Sequence, residues 1–289
     1  MRSLLFVPGD SARKFEKARQ SAADALILDL EDSVAFDRKD EARGIARGML
    51  ESQREVQKLY VRVNALDTGR TLADIASVLP ARPDGIVLPK CESSEQLRQM
   101  SLWLDGVEAG SGIPVGTTRV IAIATETAAS IFGLGFYAGA TARLEGLMWG
   151  AEDLSASLGA TGNRDGRSYY SPYRLARDMC LMGAAAAGVA AIDTVYTDIE
   201  DMEGLELEAR AARRDGFSAK AVIHPKHVEV VHAAFTPNDD EIAWARRIVD
   251  AFAADQRLGV VRIDGKMIDK PHLRAAERIL SAAGLRSIG

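Results

Sequence analysis

The 289-residue sequence has only two cysteines and four histidines, and aromatic residues make up 6% of it. No window approaches the roughly 18 consecutive apolar residues that a membrane-spanning helix needs, so no membrane partner is expected. The opening apolar run stops at Pro8, too short for a secretory signal. Cys91 and Cys180 show no pairing pattern and read as free thiols in a reducing cytoplasm. His224, His227 and His232 lie close together, but no cysteine or acid completes a zinc pattern, so they read as helix-start and packing residues. The net charge of −5 argues against nucleic acid as a partner. Gly133-Leu134-Gly135 has the wrong spacing for a dinucleotide loop, and no serine-centred elbow occurs.

What is present is a repeating rhythm. Short β-rich runs at 4–8, 25–30, 59–63, 85–89, 120–124, 144–149, 192–196 and 219–223 alternate with helical stretches at 11–22, 39–53, 71–78, 94–104, after 127, across 172–187, 201–214 and 225–234. Runs such as Ala25-Leu26-Ile27-Leu28 and Gly85-Ile86-Val87-Leu88 do not alternate, which fits parallel strands buried on both faces. Eight such units point to a (β/α)8 TIM barrel over residues 1–235, with an open doubly wound sheet as the alternative. The Gly-, Ser- and Thr-rich segment 106–118 reads as a surface loop. Residues 236–289 form a C-terminal extension: a helix near 239–254, a hairpin turning at Asp264-Gly265, and a last amphipathic helix after Pro271.

Catalytic groups of such a barrel stand at the C-terminal ends of its strands. Those ends carry Asp29, Glu31 and Asp32, then Arg62, Lys90, Glu126, and Glu152-Asp153. Acids from three strand ends repel one another unless they share a proton or a cation, and Mg²⁺ suits oxygen ligands. The alternative is that Glu31-Asp32 and Glu152-Asp153 cap the following helices. Lys90 offers a Schiff-base amine, but beside so many acids it reads better as an ion-pairing residue. Arg13 and Lys17, four apart, lie on one face of the first helix, as a phosphate-holding pair or a solvated face.

The segments Leu4-Leu5-Phe6-Val7-Pro8-Gly9, Leu28-Asp29-Leu30-Glu31-Asp32, Val61-Arg62-Val63-Asn64, Leu88-Pro89-Lys90, Glu126-Thr127-Ala128, Gly150-Ala151-Glu152-Asp153, Ile223-His224-Pro225 and Gly265-Lys266-Met267-Ile268-Asp269 follow in that order. Together they resemble the citrate lyase beta subunit and malyl-CoA/citramalyl-CoA lyase family, Mg²⁺-dependent TIM barrels of the HpcH/HpaI aldolase type. The resemblance implies Glu126 and Asp153 as Mg²⁺ ligands, with Glu31 and Asp32 near the metal through water. It implies Arg62 at the substrate, where it also suits a thioester enolate as a permanent cation. Phe6, Arg13 and Lys17 match CoA-contacting positions. Asp269 has a bland reading as an acid at a helix N-terminus; the resemblance makes it the catalytic acid/base, inserted into the site of a neighbouring subunit of a homotrimer or a hexamer of trimers. Thr125 departs from the usual apolar residue, and Ala219-Lys220 stands where Gly-Lys is usual, which bears on the shape of the strand 8 loop. The implied activity is cleavage or formation of a 3-hydroxyacyl-CoA, such as malyl-CoA or citramalyl-CoA, with an acyl-CoA and a 2-oxo acid as the other side. The alternatives are a citrate lyase beta subunit acting on a carrier-protein thioester, a malyl-CoA thioesterase, or a non-catalytic regulatory protein.

Overall fold

The computed structural model describes residues 1–53, 56–254 and 259–285. The chain divides into two compact units, Met1–His232 and Ala233–Gly289. In the first unit, β1 (Ser3–Pro8), β2 (Ala25–Asp29), β3 (Lys58–Arg62), β4 (Gly85–Leu88), β5 (Arg119–Ile123), β6 (Leu144–Met148), β9 (Ala190–Asp193) and β10 (Ala219–Val222) close into a barrel. Every neighbouring pair is parallel, and β1 closes the ring on β10. The open-sheet alternative is thereby set aside. The helices α1 (Ala12–Arg19), α2 (Lys39–Glu51), α3 (Thr71–Val78), α4 (Ser94–Gly110), α5 (Ala128–Gly133), α7 (Ser171–Ala187) and α8 (Met202–Asp215) connect the strands, and α9 (Lys226–Phe235) follows the last.

The non-alternating runs are explained by this closure. Leu4, Ile27, Tyr60, Val87, Ile121, Met148, Ile192 and Ala221 meet in one inner cluster, while the intervening Leu5, Leu26, Leu28, Val61, Ile86 and Leu88 are equally buried on the other face of their strands. Lys220 is wholly buried within β10. Its ammonium donates to Asp193 Oδ2 at 2.7 Å, Glu208 Oε1 at 2.8 Å and the Thr194 carbonyl at 2.8 Å. Ala219 is the first residue of β10 and packs in the inner cluster, so the departure there falls in the strand and not in the loop after it.

Two local expectations are corrected. The segment 106–118 is not one loop, because α4 runs on to Gly110. Glu108 accounts for this: it is fully buried, accepts from the main-chain N–H of Gly116 and of Thr118, each at 2.7 Å, and pairs with Arg143. The carboxylate thus ties the returning chain to the last turn of the helix. The second correction lies between β6 and α7. A short helix, α6 (Glu152–Ser157), and a small hairpin, β7 (Arg164–Asp165) with β8 (Ser168–Tyr169), intervene there. The Tyr169 ring meets Trp149 edge-on, with centroids 5.0 Å apart.

The second unit contains α10 (Asp239–Ala254), the hairpin β11 (Val260–Ile263) with β12 (Lys266–Asp269), and α11 (Lys270–Ala282). Asp264 and Gly265 both take positive φ, as a tight hairpin turn requires. Ile268 packs with Ala245, Ile248, Phe252, Ile263 and Leu280 in this unit's own core, whereas Met267 is 70% exposed. Among the described residues no helix is long and apolar enough to cross a membrane.

The Glu108 contacts generate a stability prediction. Burial alone would raise its pKa, but Arg143, Thr118 and Gly116 outweigh burial and hold the carboxyl at about 2, below the ordinary 4.5. A depressed folded pKa stabilises the fold above about pH 4.5, and that contribution is lost as pH falls toward 2. Glu108→Gln is expected to cost on the order of 2–3 kcal/mol at pH 7 and to flatten the acid limb between those values, measured by urea unfolding at several pH values. An unchanged acid limb would show that Glu108 is not the titrating group.

Candidate active site

The C-terminal rim of the barrel gathers the charged residues that the strands themselves exclude. Asp29 ends β2 and stands in register with Arg62, which ends β3. The Asp29 carboxylate accepts from Arg62 Nε at 2.7 Å and Nη2 at 2.8 Å, and from the main-chain N–H of Glu31 and Ser33. Burial works against its charge, but the Arg62 charge and hydrogen bonds outweigh burial and lower its pKa. The remaining Arg62 nitrogen, Nη1, lies 3.0 Å from Glu31 Oε2 and 3.5 Å from Asp32 Oδ2. The guanidinium stacks 4.9 Å from the Phe6 ring centroid. Two of the three guanidinium nitrogens are therefore engaged by Asp29, so a fork held open for substrate is not what this residue presents. Sequence reasoning gave Asp29 no role. A charged residue in the apolar run Leu26–Leu30, level with an arginine on the next strand, was the available signal.

Glu31, Glu126 and Asp153, from the ends of β2, β5 and β6, come together with Lys90 from the end of β4. Glu126 is 4% exposed, and its Oε2 accepts from the Lys90 main-chain N–H at 2.6 Å. Burial first, then the charges of Glu31 and Asp153, push its carboxyl up to about 8 against the opposing pull of Arg62. Glu31 is raised as well, by burial above all and by Asp32, while Arg62 and Lys90 oppose this. Lys90 Nζ stands 2.6 Å from Glu31 Oε1 and 3.2 Å from Asp153 Oδ1. Burial disfavours its charge, but the Glu31 hydrogen bond and the surrounding acids raise its pKa. The ion-pairing reading of Lys90 thus fits the geometry.

Glycine at position 150 makes room for Glu126, since a Cβ there would lie 3.0 Å from Glu126 Cγ. Thr125, the departure noted in the sequence, fixes the same loop: its Oγ1 accepts from the Gly150 N–H at 2.9 Å. The capping reading of the acids fails for Glu31 and Asp32, because the next helical turn, Phe36–Arg38, has Ala35 as its cap. Glu152 and Asp153 lie in the first turn of α6, but its cap is Ala151.

Among the described residues no cage of three or more His, Cys, Asp or Glu side chains is closed around a point. That does not conflict with a Mg²⁺ site, because Mg²⁺ takes one or two carboxylates and completes its shell with water and substrate. Glu126 and Asp153 open onto one cavity of about 90 Å³, also lined by Phe6, Arg62, Gly150 and Thr194. A buried carboxyl whose charge is disfavoured by two neighbouring acids is a suitable partner for a divalent cation, so the donor set fits this metal.

Phe6 also lines a second, larger cleft of about 430 Å³, together with Arg13, Lys17, Pro8, His224 and Pro225. The three positions matched to CoA contacts therefore share one cleft, and Phe6 is a wall common to both spaces. His227 is buried with Nε2 3.3 Å from the Ile199 carbonyl, and His232 Nε2 meets Ser3 Oγ at 2.8 Å, as packing histidines do. Both cysteines are free and buried. Asp269 caps α11 in the second unit, with His272 Nδ1 2.5 Å from its Oδ1. The His272 hydrogen bond holds its carboxyl below the ordinary value.

Comparison with known proteins agrees with this geometry. The family described as HpcH/HpaI aldolase/citrate lyase matches residues 2–225. The citrate lyase subunit beta of Leuconostoc mesenteroides subsp. cremoris is 33% identical over 285 residues, covering 98% of this chain and 93% of that protein. The mitochondrial citramalyl-CoA lyase of Rattus norvegicus is 34% identical over 299 residues, covering 98% of this chain and 86% of that protein. A crystal structure of the Mycobacterium tuberculosis protein CitE in complex with magnesium, acetoacetate and coenzyme A superposes with a TM-score of 0.80 at 36% identity, covering 98% of each chain. A barrel rim of this composition, matched over nearly its whole length by proteins named as lyases, leads to one conclusion: the chain belongs to the HpcH/HpaI aldolase/citrate lyase family and is an enzyme of the lyase class.

Proposed function

We propose that the protein is a Mg²⁺-dependent carbon–carbon lyase that cleaves or forms a 3-hydroxyacyl-CoA of the malyl-CoA or citramalyl-CoA type. The observation that carries this reading is that Glu126 and Asp153 open onto one cavity with Arg62, beside a cleft bearing Arg13 and Lys17, with Phe6 between the two. The cavity suits a small 2-oxo acid and the cleft suits a phosphate-bearing carrier. In cleavage, a carboxylate base takes the hydroxyl proton, the carbon–carbon electron pair moves onto the thioester as an enolate, and the enolate carbon takes a proton from an acid. Glu126 and Asp153 would hold Mg²⁺, with Glu31 and Asp32 behind them, and the bound ion would supply Lewis-acid stabilisation of the oxo-acid oxygens.

The chain's own residues supply the rest. Arg62, fixed by Asp29, provides a permanent cation for the enolate oxygen, and its pre-set orientation avoids reorganisation during the reaction. Phe6 separates the acyl end from the carrier. Asp269 of a neighbouring protomer is the proton donor to the enolate carbon, in a homotrimer or a hexamer of trimers. For that role its carboxyl must exchange the His272 contact for a more buried setting, because the hydrogen bond to His272 lowers its pKa.

A panel of CoA esters assayed with Mg²⁺ tests the activity. Malyl-CoA or citramalyl-CoA is expected to give an acyl-CoA and a 2-oxo acid, and Asp153→Ala or excess chelator is expected to abolish turnover while the fold survives. Full activity in chelator would overturn the metal reading. Release of the free hydroxy acid and CoA would make the protein a thioesterase, and turnover confined to a carrier-protein thioester would make it a citrate lyase beta subunit.

The cleft gives a separate expectation. Arg13 and Lys17 are exposed cations, so the double alanine variant should raise KM for the CoA ester by about ten-fold with kcat little changed, and added salt should weaken wild-type binding. An unchanged KM would return both residues to a solvated helix face.

Asp269→Ala and Asp153→Ala should each be inactive alone. Co-refolded as mixed oligomers, they should recover part of the activity, because some sites then combine two intact halves. Mixed oligomers without activity would remove Asp269 from the neighbour's site.

A further inference from the structure

Lys90 reaches the acids of three other strand ends. Its main-chain N–H donates to Glu126 Oε2 at 2.6 Å, and its ammonium stands 2.6 Å from Glu31 Oε1, 3.2 Å from Asp153 Oδ1 and 3.8 Å from Asp32 Oδ1. The backbone at Lys90 has φ +49°, a left-handed conformation that residues with a Cβ seldom adopt. In that turn a single residue presents its N–H to one acid and its ammonium to the others. Arg62 shares part of the second task, since its Nη1 meets Glu31 Oε2 and Asp32 Oδ2, but Asp29 engages its Nε and Nη2, and the cation at Asp153 is Lys90.

An ammonium with three carboxylates within 4 Å has the surroundings of a second ion in a two-metal centre, where the ions stand about 3.5–4 Å apart and share a carboxylate. We propose that the Lys90 ammonium is the fixed second cation of this centre, sharing Asp153 with the exchangeable divalent ion and limiting the site to one such ion. The inference rests on the assignment of that ion to Glu126 and Asp153. Lys90 acts through these ligands and is a positioning residue. Without its charge, the oxygens that face it, Glu31 Oε1, Asp32 Oδ1 and Asp153 Oδ1, become available to a hard cation, so the centre should bind divalent metal more strongly or in greater number.

Mn²⁺ binding to the full chain, followed by calorimetry and by the electron-spin-resonance signal of free Mn²⁺, tests this without reference to turnover. The wild type is expected to bind one Mn²⁺ per chain. Lys90→Met and Lys90→Gly are expected to bind two, or one with a Kd lower by about ten-fold or more. Lys90→Arg, which keeps the charge, should return the wild-type stoichiometry and affinity. Glycine favours the left-handed turn and keeps the N–H to Glu126, so K90G isolates the ammonium from the backbone. If circular dichroism shows that one of the two variants misfolds, the other decides. One Mn²⁺ at wild-type or weaker affinity in the folded variants would overturn the role of Lys90 and leave the metal site intact. A wild type that binds no Mn²⁺ would overturn the metal site itself, and this inference with it.

Discussion

Closing eight parallel strands on themselves buries both faces of every strand, and that constraint governs where this unit can carry charge. Inside the wall a charge survives only when it is matched, as Lys220 is by Asp193 and Glu208. Other charges of the strands are displaced to their ends. The C-terminal rim thereby collects Asp29, Glu31, Arg62, Lys90, Glu126 and Asp153, of which Arg62, Glu126 and Asp153 line one small cavity. The chemistry of the site follows from this crowding.

The crowded acids differ in state because they differ in partners. Asp29 is wholly engaged by the Arg62 fork and two main-chain N–H groups, and its carboxyl is held low. Glu126 accepts from the Lys90 N–H and has acidic neighbours, and its carboxyl is held high. One rim thus contains an acid that orients the Arg62 cation and an acid whose charge burial and its neighbours disfavour. Gly150 and Thr125 shape the loop that faces Glu126, so two residues without charge determine how closely the β6 end can approach the β5 end.

Much of this arrangement was legible in the order of residues. The non-alternating runs gave the strands, the spacing of Arg13 and Lys17 gave a basic helix face, and Asp264-Gly265 gave the hairpin of the second unit. Other features left no local trace. Glu108 lies in a stretch whose composition favours a loop, yet its buried bonds to Gly116 and Thr118 extend the helix. The α6 helix is only six residues long and the β7–β8 hairpin has two-residue strands, too short for a periodic signal. Arg62 stood out as a cation at a strand end, but its clamp depends on the register between two strands, which composition does not encode.

By itself, the sequence determined which segments must be buried and which ionisable residues stand near the strand ends, because apolar run length and turn residues are local properties of the chain, while the seventh strand, expected at 192–196, runs from Ala190 to Asp193. The resemblance of eight short segments in order added the family. Only the tertiary structure decided that residues 31, 90, 126 and 153 meet, that Asp29 occupies most of the Arg62 fork, and that Lys90 turns left-handed between three acids. The physical reason is that the charge and reach of an ionisable group depend on neighbours brought to it by barrel closure, and those neighbours are separated from it by dozens of residues of chain.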